Sequence, residues 1–465
     1  MEYLSTRGED NNTTFEGVLL NGLARDGGLY LPKSWPTFNS SEIANMQGLP
    51  YHEIAALIIS KFTGDDIIHR EVADLTKATY ANFMHPEVAP LKFIEDGLYA
   101  LELFHGPTIA FKDYAMQFLA RTFHKALSKS GKRSVILGAT SGDTGSAALQ
   151  AFQNLDSIDI FILFPDGRVS PIQQKQMTSL AGLGAHAICV SGDFDTCQDI
   201  VKGCFNDHYF RDEVNLSAIN SINWARVLAQ IVYYIYAHCR VAPSAESPVI
   251  FSVPTGNFGN VLAGYYAQQM GLPVEKLIVA TNSNDILHRL FSKGEYHQEG
   301  VQETLSPSMD IQISSNLERY LYDLCDKDPK ILRSWMMEFQ ASGKLTLTGN
   351  HLKKAQAQFE SVRVDDEETV ATIQEVHSKH GYLLDPHSAV GYAAAQKISS
   401  SNPVISLACA HPAKFAGAIE RATGNPPPEP TELANLRNRD TRCHRLPATA
   451  EAVRDFLEKT VYKHD

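Results

Sequence analysis

The sequence contains few cysteines, and their spacing excludes the usual structural uses of cysteine. The 465-residue chain has 7 cysteines, at positions 189, 197, 204, 239, 325, 409 and 443. Their number is odd and no two form a C-x-x-C pair, so we expect neither a disulfide framework nor a structural zinc site. This pattern is typical of a reducing compartment, and we expect a cytoplasmic location.

A block of basic residues is also missing. Asp and Glu outnumber Lys and Arg by 53 to 41, which gives a formal net charge of −12. No run of Lys and Arg is interleaved with aromatic residues. The composition therefore argues against nucleic acid as a partner.

Long apolar runs are absent as well. The chain starts MEYLSTRGEDNNTT, which is polar where a signal peptide needs an apolar core. The most apolar helical stretch, VLAQIVYYIYA at 227–237, is too short to span a bilayer. We therefore expect an intracellular protein with no membrane partner.

What the sequence does contain is an alternation of apolar runs, glycine loops and amphipathic helices, which begins near residue 91. DIFILFPDG, PVIFSVPTGNFGN and KLIVATNSND are examples. Strand followed by helix, repeated along a chain, predicts an α/β protein with mostly parallel sheets. The residues before this alternation are predicted to form a separate N-terminal unit. The proline-rich segment 425–432 is predicted to connect to a short tail helix.

A single lysine lies inside the stretch HGPTIAFKDYAMQFLA, residues 105–120. Read as a helix from about Thr108, this stretch has the i, i+3, i+4 spacing of a core-facing stripe, and Lys112 lies on the same face as Leu119. A buried ammonium group is costly unless it is paired, neutral or covalently modified. Lys112 could extend its amine to water. Alternatively, it could be a catalytic amine whose pKa is lowered by burial and which forms a Schiff base.

Two glycine loops share one design. In SVILGATSGDTGSAALQAF, Gly142 and Gly145 stand between an apolar strand and a helix of small residues. In PVIFSVPTGNFGNVLAGYYAQ, Gly256 and Gly259 occupy the same places. Such loops let backbone N–H groups approach an anion at a helix N-terminus, although either loop alone could be a tight turn without a ligand. Two anion sites and one activated lysine together suit a phosphorylated cofactor and a carboxylate substrate, as pyridoxal phosphate chemistry requires.

Six motifs, in this order along the chain, resemble those of the threonine synthase family. They are HGPTIAFKDYAMQFL, ATSGDTGSAA, NSINWARVLAQ, PTGNFGN, DPHSAVGYAA and AHPAKF. The segments STRGE and ARDGGLYLP resemble the N-terminal domain of the same family. The resemblance covers the chain from Tyr3 to about residue 425.

The resemblance implies a fold and a domain organisation. The fold is α/β, of the pyridoxal phosphate fold type II (tryptophan-synthase-β-like), with two parallel-sheet α/β lobes plus an N-terminal domain. The expected boundaries are 1–92 for the N-terminal domain and 93–430 for the catalytic region, with the smaller lobe at about 125–215. The tail helix is expected within 431–465.

The resemblance also implies an activity. Lys112 would carry pyridoxal 5'-phosphate as a Schiff base, and the enzyme would convert O-phospho-L-homoserine and water to L-threonine and phosphate, the last step of threonine biosynthesis. This is the reaction of a carbon–oxygen lyase acting on a phosphate, in which released Lys112 would move the substrate protons. Two alternatives stay open. One is a phospho-lyase of the same fold that gives 2-oxobutyrate and ammonia, and the other is a non-catalytic regulatory protein that retains the cofactor. We expect a monomer or a weak homodimer.

For the cofactor, the resemblance assigns the phosphate to the second glycine loop, whose residues are Gly256, Asn257, Phe258, Gly259 and Asn260. The pyridine nitrogen in this fold class usually meets a Ser or Thr hydroxyl, which the family pattern would place just before A-H-P. This chain has Cys409 there, and a thiol is a weaker donor than a hydroxyl. Either Cys409 takes this role or another group does.

For the substrate, the resemblance assigns the carboxylate to the first glycine loop, through Ser141, Gly142, Asp143 and Thr144. Asp143 could instead cap the following helix. Lys414 and Arg168 are candidates to bind the substrate's phosphate, and each could instead be a surface charge.

Other polar residues of the motifs have equally plain structural explanations. Three histidines are either site residues or structural ones: His105, His387 and His411. Three residues precede a predicted helix and could merely cap it: Asn220, Ser221 and Asn223. His377 and His380 are three residues apart but have no third ligand candidate nearby, so we expect no metal site.

Overall fold

The strands in the described part of the chain fall into four sheets. The computed structural model describes residues 1–95, 97–140, 142–179 and 183–461. Its strands are β1 (Tyr3–Ser5), β2 (Asn11–Thr13), β3 (Tyr30–Pro32), β4 (Leu91–Glu95), β5 (Leu98–Glu102), β6 (Ser134–Ala139), β7 (Ile158–Pro165), β8 (Ala185–Val190), β9 (Leu216–Ser217), β10 (Val249–Pro254), β11 (Val274–Thr281), β12 (Glu295–His297), β13 (Lys344–Thr346), β14 (Phe359–Arg363), β15 (Val404–Ala408) and β16 (His444–Leu446).

Helices alternate with the strands over most of the chain. They are α1 (Phe15–Asn21), α2 (Ser40–Met46), α3 (Tyr51–Thr63), α4 (Ile67–Tyr80), α5 (Lys112–Ser130), α6 (Asp143–Phe152), α7 (Pro171–Ser179), α8 (Phe194–Asn206), α9 (His208–Glu213), α10 (Trp224–Val241), α11 (Gly259–Gln269), α12 (Ile286–Lys293), α13 (Leu317–Leu324), α14 (Pro329–Ser342), α15 (Gly349–Gln358), α16 (Asp366–His380), α17 (Pro386–Gln396), α18 (Ala416–Thr423), α19 (Thr431–Ala434) and α20 (Ala450–Thr460). Short 3-10 turns occur at Pro307–Met309 and Pro412–Phe415.

Six strands form the larger sheet, in the order β14-β11-β10-β15-β5-β4. Neighbours are parallel except for β4 and β5, which form an antiparallel pair at one edge. In β10, Phe251 is paired with Leu277 on one side and with Ile405 on the other. The sequence of β10, VIFSVP, is buried throughout, as expected for a parallel strand that helices cover on both faces.

Five strands form a smaller, parallel sheet in the order β16-β8-β7-β6-β9. Its strand β7, IDIFILFP, is buried at every position. Strand β16 comes from the C-terminal segment and adds to an edge of this sheet. The predicted architecture of parallel α/β sheets with an N-terminal unit is confirmed.

The N-terminal unit packs directly on the larger lobe. It consists of the antiparallel sheet β2-β1-β3 and helices α1 to α4. Trp35 of this unit stacks on Tyr266 of α11 with ring centroids 4.2 Å apart, and it meets Trp224 of α10 edge-on. The unit therefore shares one apolar core with the larger lobe.

Helix α10 runs through the centre of this core. It is buried from Trp224 to Cys239, and a helix that is apolar on nearly all sides is typical of a large protein interior. None of the described helices is long and apolar enough to cross a membrane.

The helix that carries Lys112 starts later than its apolar spacing predicts. It begins at Lys112 rather than at about Thr108. Ile109 has φ +53°, outside the right-handed helical region, and Ala110 forms an antiparallel bridge with Ala410. The segment before Lys112 is thus tied to the segment that follows β15.

Helix α20 should contribute to the stability of the smaller lobe. Leu457 is fully buried there, in the apolar cluster on this lobe's sheet. Leu457→Ala should lower the free energy of unfolding by about 2–5 kcal/mol, because it removes a buried side chain and leaves a cavity. Denaturant unfolding followed by circular dichroism measures this change.

The exposed neighbour Glu458 provides the matched control. Glu458→Ala should change the free energy of unfolding by less than about 0.5 kcal/mol. Equal losses in the two variants, or no loss in Leu457→Ala, would contradict the packing of α20 on the lobe.

Candidate active site

A cavity lies where the carboxyl ends of strands from the two larger sheets meet, which is the usual ligand site of parallel α/β sheets. It is lined by Phe111, Lys112, Asp143, Thr144, Ser221, Arg226, Gln230, Pro254, Thr255, Gly256, Asn257, Phe258, Gly259, Asn260, Ser308, Met309, His387, Cys409 and Ala410. The lysine and both glycine loops that the sequence analysis singled out therefore meet in one cavity.

Lys112 is the first residue of α5, and its amine lies inside the cavity. The Nζ atom is 3.5 Å from Oδ2 of Asp143 and 4.7 Å from the centre of the Phe111 ring. The side chain is only 12% exposed, so the amine does not extend to bulk water. Burial lowers the pKa of Lys112, Asp143 opposes this effect and Lys414 adds to it. A lowered pKa makes the amine more available as a nucleophile and base.

Asp143 brings a carboxylate into the cavity. Its Oδ1 accepts hydrogen bonds from Lys414 Nζ at 2.7 Å and from Gln173 Nε2 at 3.0 Å. Its Oδ2 faces Lys112 and accepts from Ser308 Oγ at 3.4 Å. Burial would raise the pKa of Asp143, but the two lysines hold it well below its ordinary value. The first turn of α6 is capped by Thr140, whose Oγ1 accepts from the N–H of Gly145 at 2.8 Å, and the N-cap position itself is Gly142. The capping alternative for Asp143 is therefore wrong.

The loop after β10 has the geometry of an anion site. Phe258 has φ +63° and is the N-cap residue of α11, so the helix begins at the cavity wall. A Cβ atom at Gly256 would lie 3.0 Å from the carbonyl oxygen of Ser308. The loop therefore runs close against the neighbouring 3-10 turn, where a larger residue would not fit without a shift.

Asn260 leaves an unpaired donor at this loop. Its Oδ1 accepts hydrogen bonds from the hydroxyls of Tyr233 at 2.5 Å and Tyr234 at 2.9 Å, which orients the amide. Its Nδ2 is buried and has no hydrogen-bond partner in the described part of the chain. Such a donor costs about 1–3 kcal/mol unless something accepts from it. Together with the first N–H groups of α11, it makes the loop suited to a phosphate.

Arg226 is a site residue that the motif analysis missed. It lies in the first turn of α10, is 4% exposed and lines the cavity. One Nη atom donates to the Ile219 carbonyl at 3.3 Å, whereas Nε has no partner among the described residues. Burial lowers the pKa of Arg226 to about 10. A buried cation in this state gains from an anion beside it. The sequence feature that could have identified Arg226 is a charge inside the apolar helix WARVLAQIVYYIYA, which is the same pattern that singled out Lys112.

Cys409 lines the cavity as a neutral thiol, because burial raises its pKa. Its Sγ donates a long hydrogen bond to the carbonyl oxygen of Leu407, at 3.7 Å. The nearby Ser388 hydroxyl accepts from the Cys409 N–H at 2.8 Å and donates to Asp385, so its proton is already used. The Cys409 thiol therefore lies where the resemblance leads us to expect a hydroxyl, and to serve a ligand it would have to exchange only this long, weak contact with Leu407.

His387 connects the cavity wall to the 3-10 turn. Its Nδ1 donates to Asp385 Oδ1 at 2.8 Å, and its Nε2 accepts from the N–H of Ser308 at 3.1 Å. A backbone N–H can only donate, so the hydrogen-bond network assigns Nε2 as the unprotonated nitrogen. His387 thus holds the turn that packs against the Gly256 loop.

Several predicted substrate residues do not line the cavity. Lys414 lies behind Asp143 with a fully buried side chain. Arg168 is exposed and lies outside the cavity lining. Gly142 immediately precedes the lining residue Asp143 without lining the cavity itself. Ser141 lies outside the described residues.

The other motif residues mostly have structural partners. His105 Nε2 pairs with Glu102 at 2.8 Å, and His411 caps the second 3-10 turn; both line a separate pocket. Asn223 caps α10, which confirms the capping interpretation for this residue. Ser221 differs, because it lines the active-site cavity.

These groups fit pyridoxal phosphate. Lys112 offers an amine for the carbonyl carbon of the cofactor, and Cys409 offers a neutral donor for its ring nitrogen. Loop 256–260 offers a helix N-terminus for its phosphate. The buried and otherwise unpaired Nδ2 of Asn260 is the feature that a phosphate oxygen would satisfy most directly.

Comparisons with known proteins agree with this fit. Family models match three parts of the chain: "Threonine synthase N terminus" at residues 2–80, "Pyridoxal-phosphate dependent enzyme" at 89–333, and "Threonine synthase, C-terminal" at 388–457. The threonine synthase of Pseudomonas aeruginosa is 47% identical, over 99% of this chain and 98% of its own length.

Solved structures give the same result. The crystal structure of PLP-bound threonine synthase from Brucella melitensis matches with a TM-score of 0.96 and 46% identity, covering 100% of both chains. The structure of threonine synthase from yeast matches with a TM-score of 0.93 and 38% identity, covering 99% of both chains. The chain therefore belongs to the threonine synthase family of pyridoxal-phosphate-dependent enzymes.

Proposed function

We propose that this chain converts O-phospho-L-homoserine and water to L-threonine and phosphate. The observation that carries the proposal is one buried amine, Lys112, in a cavity with three separate positions for anions. Those positions are the Gly256 loop, the start of α6 and the Arg226 guanidinium. Cofactor and substrate together carry three anionic groups, which are the cofactor phosphate, the substrate carboxylate and the substrate phosphate.

The N-termini of α6 and α11 can each bind one of these anions. The Gly256 loop has the unpaired Asn260 donor and suits the cofactor phosphate. The start of α6, where Thr144 lines the cavity, suits the substrate carboxylate through backbone N–H groups and the helix dipole. Asp143 at the same helix start does not repel the carboxylate strongly, because Lys414 pairs with it.

Arg226 and Ser221 suit the phosphate of the substrate. Both line the cavity, and the guanidinium has an unpaired Nε that a phosphate oxygen could accept from. Arginine binds phosphate through several N–H groups in a fixed plane, which would orient the bond that breaks. This assignment replaces Lys414 and Arg168, which do not line the cavity.

Lys112 would be the residue that moves protons. When bound, pyridoxal phosphate supplies an electron sink that stabilises negative charge at the α-carbon of an amino acid. The Lys112 amine, with a pKa lowered by burial, can accept a proton and return it at carbons within reach of Nζ. The overall change breaks the γ-carbon–oxygen bond to phosphate and adds water across the neighbouring carbons. The polar groups of the cavity serve mainly to position the substrate and stabilise its anions.

The neutral Cys409 thiol would serve the ring nitrogen. Its raised pKa keeps the proton on sulfur, so the thiol donates a weak hydrogen bond and brings no negative charge. A ring nitrogen that accepts from a neutral donor stays unprotonated. The thiol would therefore have the same effect as the hydroxyl that the resemblance leads us to expect at this position.

A cytoplasmic location and a monomer or weak homodimer complete the proposal. All seven cysteines are free thiols, which suits a reducing compartment. Lys112, both glycine loops and Arg226 belong to the same chain, so the proposed site needs no residue from a second copy.

A product assay tests the proposed reaction. Purified protein with pyridoxal phosphate and O-phospho-L-homoserine should release phosphate and L-threonine in equal amounts, and Lys112→Ala should abolish both because no other amine takes its place. Phosphate matched by 2-oxobutyrate and ammonia would show a phospho-lyase instead. An absence of phosphate release would contradict both reactions.

Arg226→Gln tests the site for the substrate phosphate. The variant should lower kcat/KM by about 10- to 100-fold, because it loses a charged hydrogen bond of about 1.5–3 kcal/mol. Steady-state phosphate release measures this, and cofactor affinity, followed by absorbance, should stay close to wild type.

Arg168→Gln is the comparison variant. It removes an exposed arginine outside the cavity lining and should leave kcat/KM within about twofold of wild type. The reverse result, a large loss in Arg168→Gln and a small one in Arg226→Gln, would move the substrate phosphate to Arg168.

A further inference from the structure

We propose that Asp143 and Lys414 are positioning residues for Lys112, a buried ion pair that holds a carboxylate oxygen against the reacting amine. The inference rests on the proposed role of Lys112 as the residue that carries the cofactor. It assigns both residues a role other than the substrate contacts that the motifs predict for them. It also predicts how the proton affinity at Lys112 depends on each of them.

The two oxygens of the Asp143 carboxylate have different tasks. Oδ1 is anchored by Lys414 Nζ at 2.7 Å and by Gln173 Nε2 at 3.0 Å. Oδ2 points to the cavity, 3.5 Å from Lys112 Nζ. The anchoring contacts therefore fix the direction in which the second oxygen faces. A freely rotating carboxylate would not hold its charge at the amine in this way.

Lys414 is placed to serve Asp143 rather than a substrate. Its side chain is 0% exposed, and its Nζ also donates to the carbonyl oxygen of Thr108 at 3.0 Å. Thr108 in turn bonds Asp113, through its N–H at 2.8 Å and its hydroxyl at 2.7 Å. To reach a ligand in the cavity, Lys414 would have to leave these partners and Asp143 would have to move aside.

Gly142 allows the anchoring contact to form. It has φ +142°, and a Cβ atom there would lie 2.4 Å from the Gln173 side chain. Glycine thus lets Gln173 approach the start of α6 and reach Asp143. Gly142 therefore has a structural role, to leave room for Gln173, in addition to any contact with a substrate carboxylate.

The groups around Lys112 make Asp143 the source of negative charge at the amine. The titratable and charged groups that line the cavity beside it, or pair directly with a lining residue, are Asp143, Lys414, Arg226, His387, Asp385 and Cys409. The carboxylate of Asp113, the next residue of α5, accepts from Thr108 instead. Lys414 and Arg226 are cations, His387 is paired with Asp385, and Cys409 is a neutral thiol. The positive form of the Lys112 nitrogen is therefore stabilised by Asp143 and opposed by the two cations.

Removing the charge of Asp143 and removing the charge of Lys414 should therefore shift the pH at which the Lys112 nitrogen loses its proton in opposite directions. Asp143→Asn leaves the nitrogen of Lys112 beside two cations, so its proton is lost at lower pH. Lys414→Met removes a cation and leaves the anion, so the proton is lost at higher pH. If the substitutions merely loosened the site, water would enter in both variants, and the pH at which the Lys112 nitrogen loses its proton would shift in the same direction in both.

The test is a pH titration of the visible absorbance of the cofactor-loaded protein without substrate. Wild type, Asp143→Asn and Lys414→Met are loaded with pyridoxal phosphate and freed of excess. We expect the titration midpoint to fall by at least about one pH unit in Asp143→Asn and to rise by a similar amount in Lys414→Met. Lys414→Arg keeps the charge and should keep the midpoint near that of wild type.

Shifts of the same sign in Asp143→Asn and Lys414→Met, or an unshifted midpoint in Asp143→Asn, would overturn the inference. Asp143→Asn has nearly the same shape as wild type, so it decides alone if Lys414→Met does not fold. A wild-type spectrum without a band that depends on Lys112 would overturn both this inference and the proposed function. A normal band with an unshifted Asp143→Asn midpoint would overturn only this inference.

Discussion

The balance of charge in one buried cavity constrains the rest of this site. Lys112 and Arg226 place two cations in its wall, and Lys414 lies directly behind the wall. Asp143 is the carboxylate that contacts both lysines. Positive charge in excess of negative charge is costly away from water unless anions bind there. The cavity is therefore suited to ligands that together carry several anionic groups. Both glycine loops add backbone N–H donors that can also bind anions.

The fold supplies this balance by bringing two sheets together at their carboxyl ends. Asp143 follows β6 of the smaller sheet, whereas Lys112 and Lys414 follow β5 and β15 of the larger one. The ion pair of Asp143 with Lys414 thus joins the two lobes. Any change in the position of one lobe relative to the other would change the charge at Lys112. Lobe position and the reactivity of the amine are linked by this geometry.

Much of the fold and part of the site could be predicted from sequence. Glycine spacing after apolar strands indicated both loops, and an isolated charge in an apolar stripe singled out Lys112, but only the resemblance to threonine synthases chose between the alternatives for each. The predicted start of the helix that carries Lys112 was wrong. The positive φ of Ile109 and the bridge of Ala110 to Ala410 depend on tertiary contacts, which the local apolar spacing does not show. Arg226 was missed although its sequence pattern is like that of Lys112. The contact of Lys414 with Asp143 joins residues that are distant in sequence, so no local pattern could show it.

We propose the Lys112 amine, which lies among these anion sites, as the point of cofactor attachment. The most direct measurement is borohydride reduction of the protein loaded with pyridoxal phosphate, followed by peptide mass spectrometry. We expect one reduced pyridoxyl phosphate group per chain, on the peptide that contains Lys112. Attachment to a different lysine, or the same labelling in Lys112→Ala as in wild type, would contradict it.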